Sequence, residues 1–159
     1  MLEKESHSTD VLVIGCGVSG LRAALAARKH GVSVTVTAKG KGASVHYDAV
    51  NAPFGHADPR DSEAVYFQDI LRSGGYLNHK GLARRLAFEA IPSVRELESL
   101  GIRFDAVEGR YIQRRVSGGS YRRALYIQDR AGLDIENGLR KEAERQAIPF
   151  LFPGRCWAG

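Results

Sequence analysis

VLVIGCGVSG, residues 11–20, joins a continuous apolar run to a complete G-x-G-x-x-G pattern. The run at 11–14 predicts a strand buried on both faces, as in a parallel sheet. Gly15 allows a sharp turn out of that strand, Gly17 lets the backbone approach a pyrophosphate, and Gly20 permits a helix to pack closely on the strand. The stretch therefore predicts the opening of a dinucleotide-binding unit.

The residues that follow complete this unit. Small apolar residues from Ser19 onward predict a helix that ends at a C-cap, Gly31. The alternation of Val32, Val34 and Val36 with polar residues predicts a second strand. Backbone amides at the N-terminus of such a helix, aided by the helix dipole, bind phosphate oxygens. Strand, glycine turn, helix and strand make a βαβ unit of about thirty residues, which predicts dinucleotide binding.

The rest of the chain is predicted to be a mixture of helices, turns and short strands. We expect a buried stripe on the second of its helices, which Pro92 should break and Gly101 should end. That stripe consists of Leu82, Leu86, Ala90, Val94, Leu97 and Leu100. The predicted elements are a loop at 39–60, helices at 62–72, 80–100 and 133–146, a hairpin around Gly109, a turn at 117–120 and a strand at 148–152.

Composition and charge exclude several classes of protein. The 159 residues carry 23 Lys and Arg against 18 Asp and Glu, a net charge of +5, which is typical of a solvated basic surface and does not predict nucleic acid binding. Cys16 and Cys156 have no Cys or His companions, so we predict no disulfide, no metal site and a cytoplasmic location. No apolar run is long enough for a membrane span, so membrane contact is expected only at the periphery, through a partner. A solvated face is also preferred to an anion site for the basic cluster Arg110, Arg114, Arg115, Arg122 and Arg123.

One expected feature of a dinucleotide site is missing. The second strand ends in Thr37-Ala38-Lys39 where an Asp or Glu usually holds a ribose hydroxyl. From the residues alone, Lys39 and Lys41 could instead bind a 2′-phosphate. An NADP-binding reductase domain and a non-catalytic nucleotide-binding module therefore remain alternatives at this point.

Five motifs spread along the chain together resemble one family of flavoproteins. Lys39 matches a Ser-Lys pair that ends the family's second strand, and Asp61, Ser62 and Asp69 match its Asp-Ser and second Asp. The Leu-Glu-x-x-Gly-x-x-Phe at 97–104 and the Gly-Arg-x-x-Gln-Arg with paired glycines at 109–119 also match. With the glycine turn, these motifs resemble the flavoprotein subunits of succinate dehydrogenase and fumarate reductase, and the related L-aspartate oxidases.

The resemblance implies an α/β, Rossmann-like FAD-binding fold with a parallel sheet and flanking helices, incomplete at the C-terminus. It implies FAD as cofactor and oxidoreductase chemistry on a small dicarboxylate. Counted without gaps from Lys39, His46 falls at the position of the histidine that membrane-bound members link covalently to FAD. For this chain, a histidine that only hydrogen-bonds or faces solvent is preferred to a covalent link. The implied cofactor-binding residues are Gly15, Cys16, Gly17, Val18, Ser19, Gly20, Thr37, Lys39, Ser44, Val45 and His46.

The chain also departs from the family pattern. Tyr66 replaces a frequent histidine, Ile70 replaces a threonine, and residues 50–52 replace the Gln-Gly-Gly that approaches the flavin ring. We expect residues 1–159 to be the N-terminal portion of the FAD-binding domain, without the capping domain that carries the family's catalytic residues. A dicarboxylate would then bind only when further domains complete the site, and the expected partners are another chain or an iron–sulfur subunit.

Overall fold

A computed structural model describes residues 7–152, which form two compact units. Unit 1 contains the chain up to Val45 together with the residues from Ile135 onward, and unit 2 contains residues 46–134. The elements in chain order are β1 (Val11–Ile14), α1 (Val18–Arg28), β2 (Val34–Thr37), a short 3-10 helix (Ala43–His46), β3 (Ala49–Asn51), α2 (Glu63–Ser73), α3 (Lys80–Ser99), β4 (Ala106–Val107), β5 (Arg110–Tyr111), β6 (Gln113–Arg114), β7 (Ala124–Tyr126), α4 (Ala131–Arg145) and β8 (Phe150–Leu151).

The sheet of unit 1 is parallel and has the strand order β1, β2, β8. The central strand β2 is buried on both faces at residues 34–36. α1 connects β1 to β2 and buries Leu21, Ala24 and Leu25. The predicted βαβ unit and the α/β fold class are therefore confirmed, and β8 is a shortened form of the strand predicted at 148–152.

The prediction that β1 is buried on both faces is wrong. Leu12 and Ile14 are 54% and 83% exposed, whereas Val13 lies on the opposite face, 3.4 Å from a Cβ placed on Gly20 of α1. Side chains of a strand alternate between faces, so a helix on one face leaves the other uncovered among the described residues. A continuous apolar run cannot distinguish these two cases.

α1 ends earlier than predicted. The helix stops at Arg28, and the backbone amides of His30 and Gly31 bond to the carbonyls three residues before them, at 3.0 Å each. This tightens the last turn into a 3-10 turn before Gly31 adopts φ +76°. Gly31 reverses the chain as expected, but it lies beyond the cap of the helix.

The helices of unit 2 confirm the predicted positions. Ser62 caps α2, since its hydroxyl accepts a hydrogen bond from the Val65 amide at 3.3 Å. α3 ends where Gly101 adopts φ +87°. However, α3 continues through Pro92, an exposed residue, although a proline inside a helix removes one backbone hydrogen bond.

The prediction of which residues form the buried stripe of α3 is partly wrong. Leu82 and Leu86 are 65% and 55% exposed, and alanines take the buried positions in the first half of the helix. α3 packs on α2. Small side chains allow a close approach of two helix backbones, which fits alanines at the buried positions, while Leu97 and Leu100 of the predicted stripe are half-buried. The buried residues are Ala83, Ala87, Ala90 and Val94.

The segment 39–60 is more ordered than predicted. It contains the 3-10 helix and β3, which pairs antiparallel with β7, and β7 pairs with β6. The partner of β3 lies more than seventy positions away, so no local pattern reveals it. The hairpin of β4 and β5 is confirmed, with Glu108 and Gly109 at φ +50° and +75° as a type I′ turn requires.

Candidate functional site

The glycine turn of unit 1 has the backbone geometry that the sequence predicts. Gly15 adopts φ +112°, a conformation that L side chains rarely reach, and its amide donates to the Thr37 carbonyl at 2.7 Å. This bond extends the β1–β2 ladder by one residue before the chain turns into α1. The end of β1 is thereby fixed against the end of β2.

Gly20 confirms its predicted role in close packing. A Cβ there would overlap the Gly15 carbonyl oxygen and lie 2.8 Å from the Gly15 carbonyl carbon. Any side chain would therefore push α1 away from the turn. Because Gly20 lacks one, the first turn of α1 rests directly on the end of β1.

The N-terminus of α1 has the character of an anion site. Its N-cap is Gly17, whose lack of a side chain leaves this helix end without a side-chain cap, and the first turn has no acidic residue. Amides at a helix N-terminus need acceptors, and the dipole there favours negative charge. These features fit the diphosphate of a dinucleotide.

The structure brings most of the predicted cofactor residues into unit 1. Thr37 is the last residue of β2, and Lys39 follows it with an exposed side chain. Ser44 and Val45 lie half-buried in the 3-10 helix. His46, the last residue of that helix, is exposed and is assigned to unit 2.

Sequence reasoning missed a group of buried polar side chains beside the glycine turn. The Cys16 thiol, 1% exposed, donates to the Gly40 carbonyl at 3.2 Å and accepts from Arg140 at 3.3 Å. Glu136 is also 1% exposed, and its Oε2 has no hydrogen-bond partner among the described residues. Its Oε1 lies 3.9 Å from Arg140. The pattern of α4 gave no sign of this, since Glu136 resembles a surface residue in the sequence.

Unit 2 is organised around a buried arginine. Arg123, 1% exposed, donates to Asp61 through Nε at 3.1 Å and through Nη2 at 2.7 Å, and Nη2 also lies 2.8 Å from Asp69. Its guanidinium carbon lies 4.7 Å from the ring centre of Tyr66. We call Asp61, Asp69 and Arg123 the acid–arginine cluster.

Hydrogen bonds to Asp69 join this cluster to the turn at 117–120. Asp69 accepts from the backbone amide and the hydroxyl of Ser120, at 2.8 and 2.7 Å, and from Arg72. Burial alone would raise the pKa of Asp69, but the Ser120 bonds and the Arg123 charge outweigh it and lower that pKa. Burial raises the pKa of Asp61, because the bonds from Arg123 offset only part of its effect. The family spacing of Asp61 and Asp69 thus serves a buried ion-pair network.

The basic cluster predicted to lie on a solvated face divides into two kinds of residue. Arg123 is the exception to that prediction, because two buried carboxylates hold it inside unit 2. Of the exposed members, Arg110 donates to the His56 carbonyl at 2.7 Å, and Arg114 lies within 4 Å of two aspartates. The exposed members are Arg110, Arg114, Arg115 and Arg122.

The segment that replaces the family's Gln-Gly-Gly is held by the Gly-Arg-x-x-Gln-Arg motif. Gln113, 5% exposed, donates to the Ala52 carbonyl at 2.8 Å and accepts from the Ala57 amide at 3.1 Å. The Ala52 amide donates to the Arg123 carbonyl at 3.0 Å. Gln113 and the Arg123 carbonyl therefore both hold the backbone of the loop that follows β3.

A cavity of about 350 Å³ lies in unit 2 between α2 and the turn at 117–120. Tyr66 and Asp69 line one side of it, and Ser117 and Gly118 line the other. Burial raises the pKa of the Tyr66 phenol against the opposing effects of Arg123 and an Asn51 hydrogen bond. Asp69 and Arg123 of the acid–arginine cluster are among the residues that line this cavity. The described residues contain no group of three or more His, Cys, Asp or Glu arranged to hold a metal ion.

Comparison with known proteins identifies the family. A family model described as FAD binding domain matches residues 10–153. The chain belongs to this FAD-binding family. Its cofactor is FAD, and the alternatives of an NADP-binding domain or a non-catalytic module are not favoured.

Individual relatives agree with the predicted resemblance. The FAD-binding chain is 36% identical over 156 residues to a fumarate reductase (CoM/CoB) subunit of Methanothermobacter marburgensis, covering 94% of this chain and 28% of that protein. It is 35% identical over 135 residues to L-aspartate oxidase 2-b of Nicotiana tabacum, covering 82% and 20%. The resemblance to fumarate reductase, succinate dehydrogenase and L-aspartate oxidase flavoproteins is confirmed.

Solved structures support the same assignment. The chain superposes on Mycobacterium smegmatis Sdh1 in complex with UQ1 with a TM-score of 0.83 and 33% identity, covering 92% of this chain and 27% of that one. The chain therefore spans between 20% and 28% of the length of these relatives. Within residues 7–152, no helix has the length and apolar character needed to cross a bilayer.

Proposed function

We propose that unit 1 holds the ADP half of FAD, with the diphosphate on the turn from Gly15 to Gly20. The observation that carries this proposal is the pairing of Gly15, at φ +112°, with a helix N-terminus that no side chain caps. Together they place an uncapped helix N-terminus directly after the carboxyl end of β1 and beside that of β2, where dinucleotides bind in open α/β sheets.

The other predicted residues are assigned by their positions along the chain. Thr37 is the last residue of β2 and Lys39 follows it, at the carboxyl end of the strand, where the ribose of a dinucleotide binds in this kind of fold. Ser44, Val45 and His46 would then contact the flavin half, with His46 as a hydrogen-bonding residue and not a covalent attachment. Cys16, Val18 and Ser19 contribute backbone within the turn and the first turn of α1.

At the level of the whole protein, we propose an oxidoreductase that acts on a small dicarboxylate. FAD, when bound, supplies the redox chemistry, and this chain binds and orients it. The support is the identity to an L-aspartate oxidase and to a fumarate reductase subunit, together with the match of residues 10–153 to the FAD binding domain. We assign this chain to the N-terminal portion of the FAD-binding domain, and the dicarboxylate site to the assembled protein.

Partner chains and location follow the same reasoning. Relatives include proteins named as subunits, which supports association with another chain such as an iron–sulfur subunit. The free, buried thiol of Cys16 fits a cytoplasmic compartment. Contact with a membrane surface would then depend on the partner. Cys156, the other cysteine considered in the sequence, lies outside the described residues.

This proposal is tested by comparing the affinities of the chain for FAD, ADP and NADPH. Calorimetric titration of the chain is expected to give tighter binding of FAD and ADP than of NADPH, because the proposed diphosphate site belongs to a chain of an FAD-binding family. The double variant Lys39→Ala with Lys41→Ala should keep this order. Tighter binding of NADPH by the parent chain, lost in the double variant, would contradict the proposal.

A further inference from the structure

The backbones of Gly17 and Gly42 meet within unit 1. A Cβ added at Gly42 would lie 2.6 Å from the Cα of Gly17 and 3.4 Å from its backbone nitrogen. In the opposite direction, a Cβ added at Gly17 would lie 2.9 Å from the Cα of Gly42. Neither position can carry a side chain unless the backbone moves.

The requirement for glycine at this contact is spatial. Gly17 has φ −72° and ψ −179°, an extended conformation that any residue can adopt. Gly42 is not among the glycines with positive φ. Neither residue therefore needs glycine for its backbone conformation, and what excludes a side chain is the other glycine.

A buried carboxylate also lies in contact with the position that an added methyl group would take. The position of a Cβ on Gly42 is 3.6 Å from the buried carboxylate oxygen Oε2 of Glu136. Two residues earlier in the same loop, the Gly40 carbonyl accepts from the Cys16 thiol at 3.2 Å. The loop after β2 thus contacts the glycine turn at two places, and these contacts fix the distance between the loop and the turn.

We propose that Gly42 is a positioning residue of the nucleotide site, which acts through Gly17 on the diphosphate. Its bare Cα allows the loop to close on the turn, and the closed loop fixes the direction of the Gly17 backbone N–H. This inference rests on the proposed function, since it assumes that the turn binds a diphosphate. In the sequence, Gly42 has no role beyond that of a loop glycine.

The test compares Gly42→Ala with the control Ala43→Ser, a change at the adjacent, exposed residue. ADP is the probe, and the measurements are its dissociation constant, the ³¹P chemical shifts of bound ADP at saturation, and the melting temperature of the ligand-free chain. We expect Gly42→Ala to weaken ADP binding by about tenfold or more, since loss of one well-directed hydrogen bond to a charged phosphate lowers affinity by about that factor. The bound ³¹P shifts should also change, and the control should match the parent.

Each other result has a defined meaning. Parental affinity and unchanged ³¹P shifts in Gly42→Ala would overturn the inference while leaving the proposed function intact. Weaker binding with unchanged shifts and a lower melting temperature would also overturn it, because Gly42 would then serve stability alone. If Gly42→Ala does not fold, Gly17→Ala probes the same contact from the other side, and parental ADP binding by that variant overturns the inference. Failure of the parent to bind either ADP or FAD would contradict the proposed function itself.

Discussion

Replacement of Arg123 by alanine is expected to lower the free energy of unfolding by about 3–5 kcal/mol, the range found when one partner of a buried ion pair is removed. Arg123 is the shared partner of Asp61 and Asp69, and all three side chains are at most 4% exposed. Without the guanidinium, two carboxylates remain in a site with little access to water. The loss also removes the contact with the Tyr66 ring.

Urea unfolding at neutral pH measures this effect, with Arg122→Ala as the matched control. Arg122 is the adjacent arginine and is exposed, so its removal should change stability by no more than about 0.5 kcal/mol. Acidification should reduce the difference in free energy of unfolding between the parent and Arg123→Ala. The two carboxylates left without Arg123 take up protons at low pH and lose their charge. A deficit below about 1 kcal/mol at neutral pH would contradict the buried network, since exposed ion pairs contribute that little.

Gly17→Val is expected to weaken FAD binding by about a hundredfold or more, since each hydrogen bond to a charged group contributes about 1.5–3 kcal/mol and about 1.4 kcal/mol is a factor of ten in affinity. The Cβ of valine would lie 2.9 Å from the Cα of Gly42, so the loop or the turn must move. Its two methyl groups would then occupy the space at the N-terminus of α1 through which a diphosphate approaches.

Fluorescence titration with FAD measures the affinity, and far-ultraviolet circular dichroism reports the fold. Ala26→Val is the matched control, because it adds the same two methyl groups to an exposed position of α1. That control should bind FAD as the parent does, with only a small cost in helix propensity. Parental FAD affinity in Gly17→Val would place the diphosphate elsewhere.

The sequence predicted the βαβ unit well because its determinants are local. Gly15 and Gly20 lie within six residues of each other, and their roles depend on the adjacent strand and helix. The turn at Gly109 was predictable for the same reason, since two consecutive positive φ angles strongly favour glycine. Patterns of this kind carry their structural meaning within a short window.

The acid–arginine cluster and β3 depend on contacts between distant positions. Arg123 lies 62 residues from Asp61, and in sequence it is one of five nearby arginines, so a solvated position was the natural expectation. The contact of Gly42 with Gly17 joins two loops in the same way. Helix periodicity favoured the wrong residues in the first half of α3, because alanines and leucines recur there at similar spacing and the alanines are the buried ones.

Binding of FAD through the glycine turn of unit 1 is tested most directly by visible absorption. The spectrum of the purified chain is recorded after incubation with excess FAD and removal of free flavin by gel filtration. We expect the parent chain to retain the absorption of bound flavin and Gly17→Val to lose it. A parent chain without flavin absorption, or a Gly17→Val chain that retains as much flavin as the parent, would contradict this mode of binding.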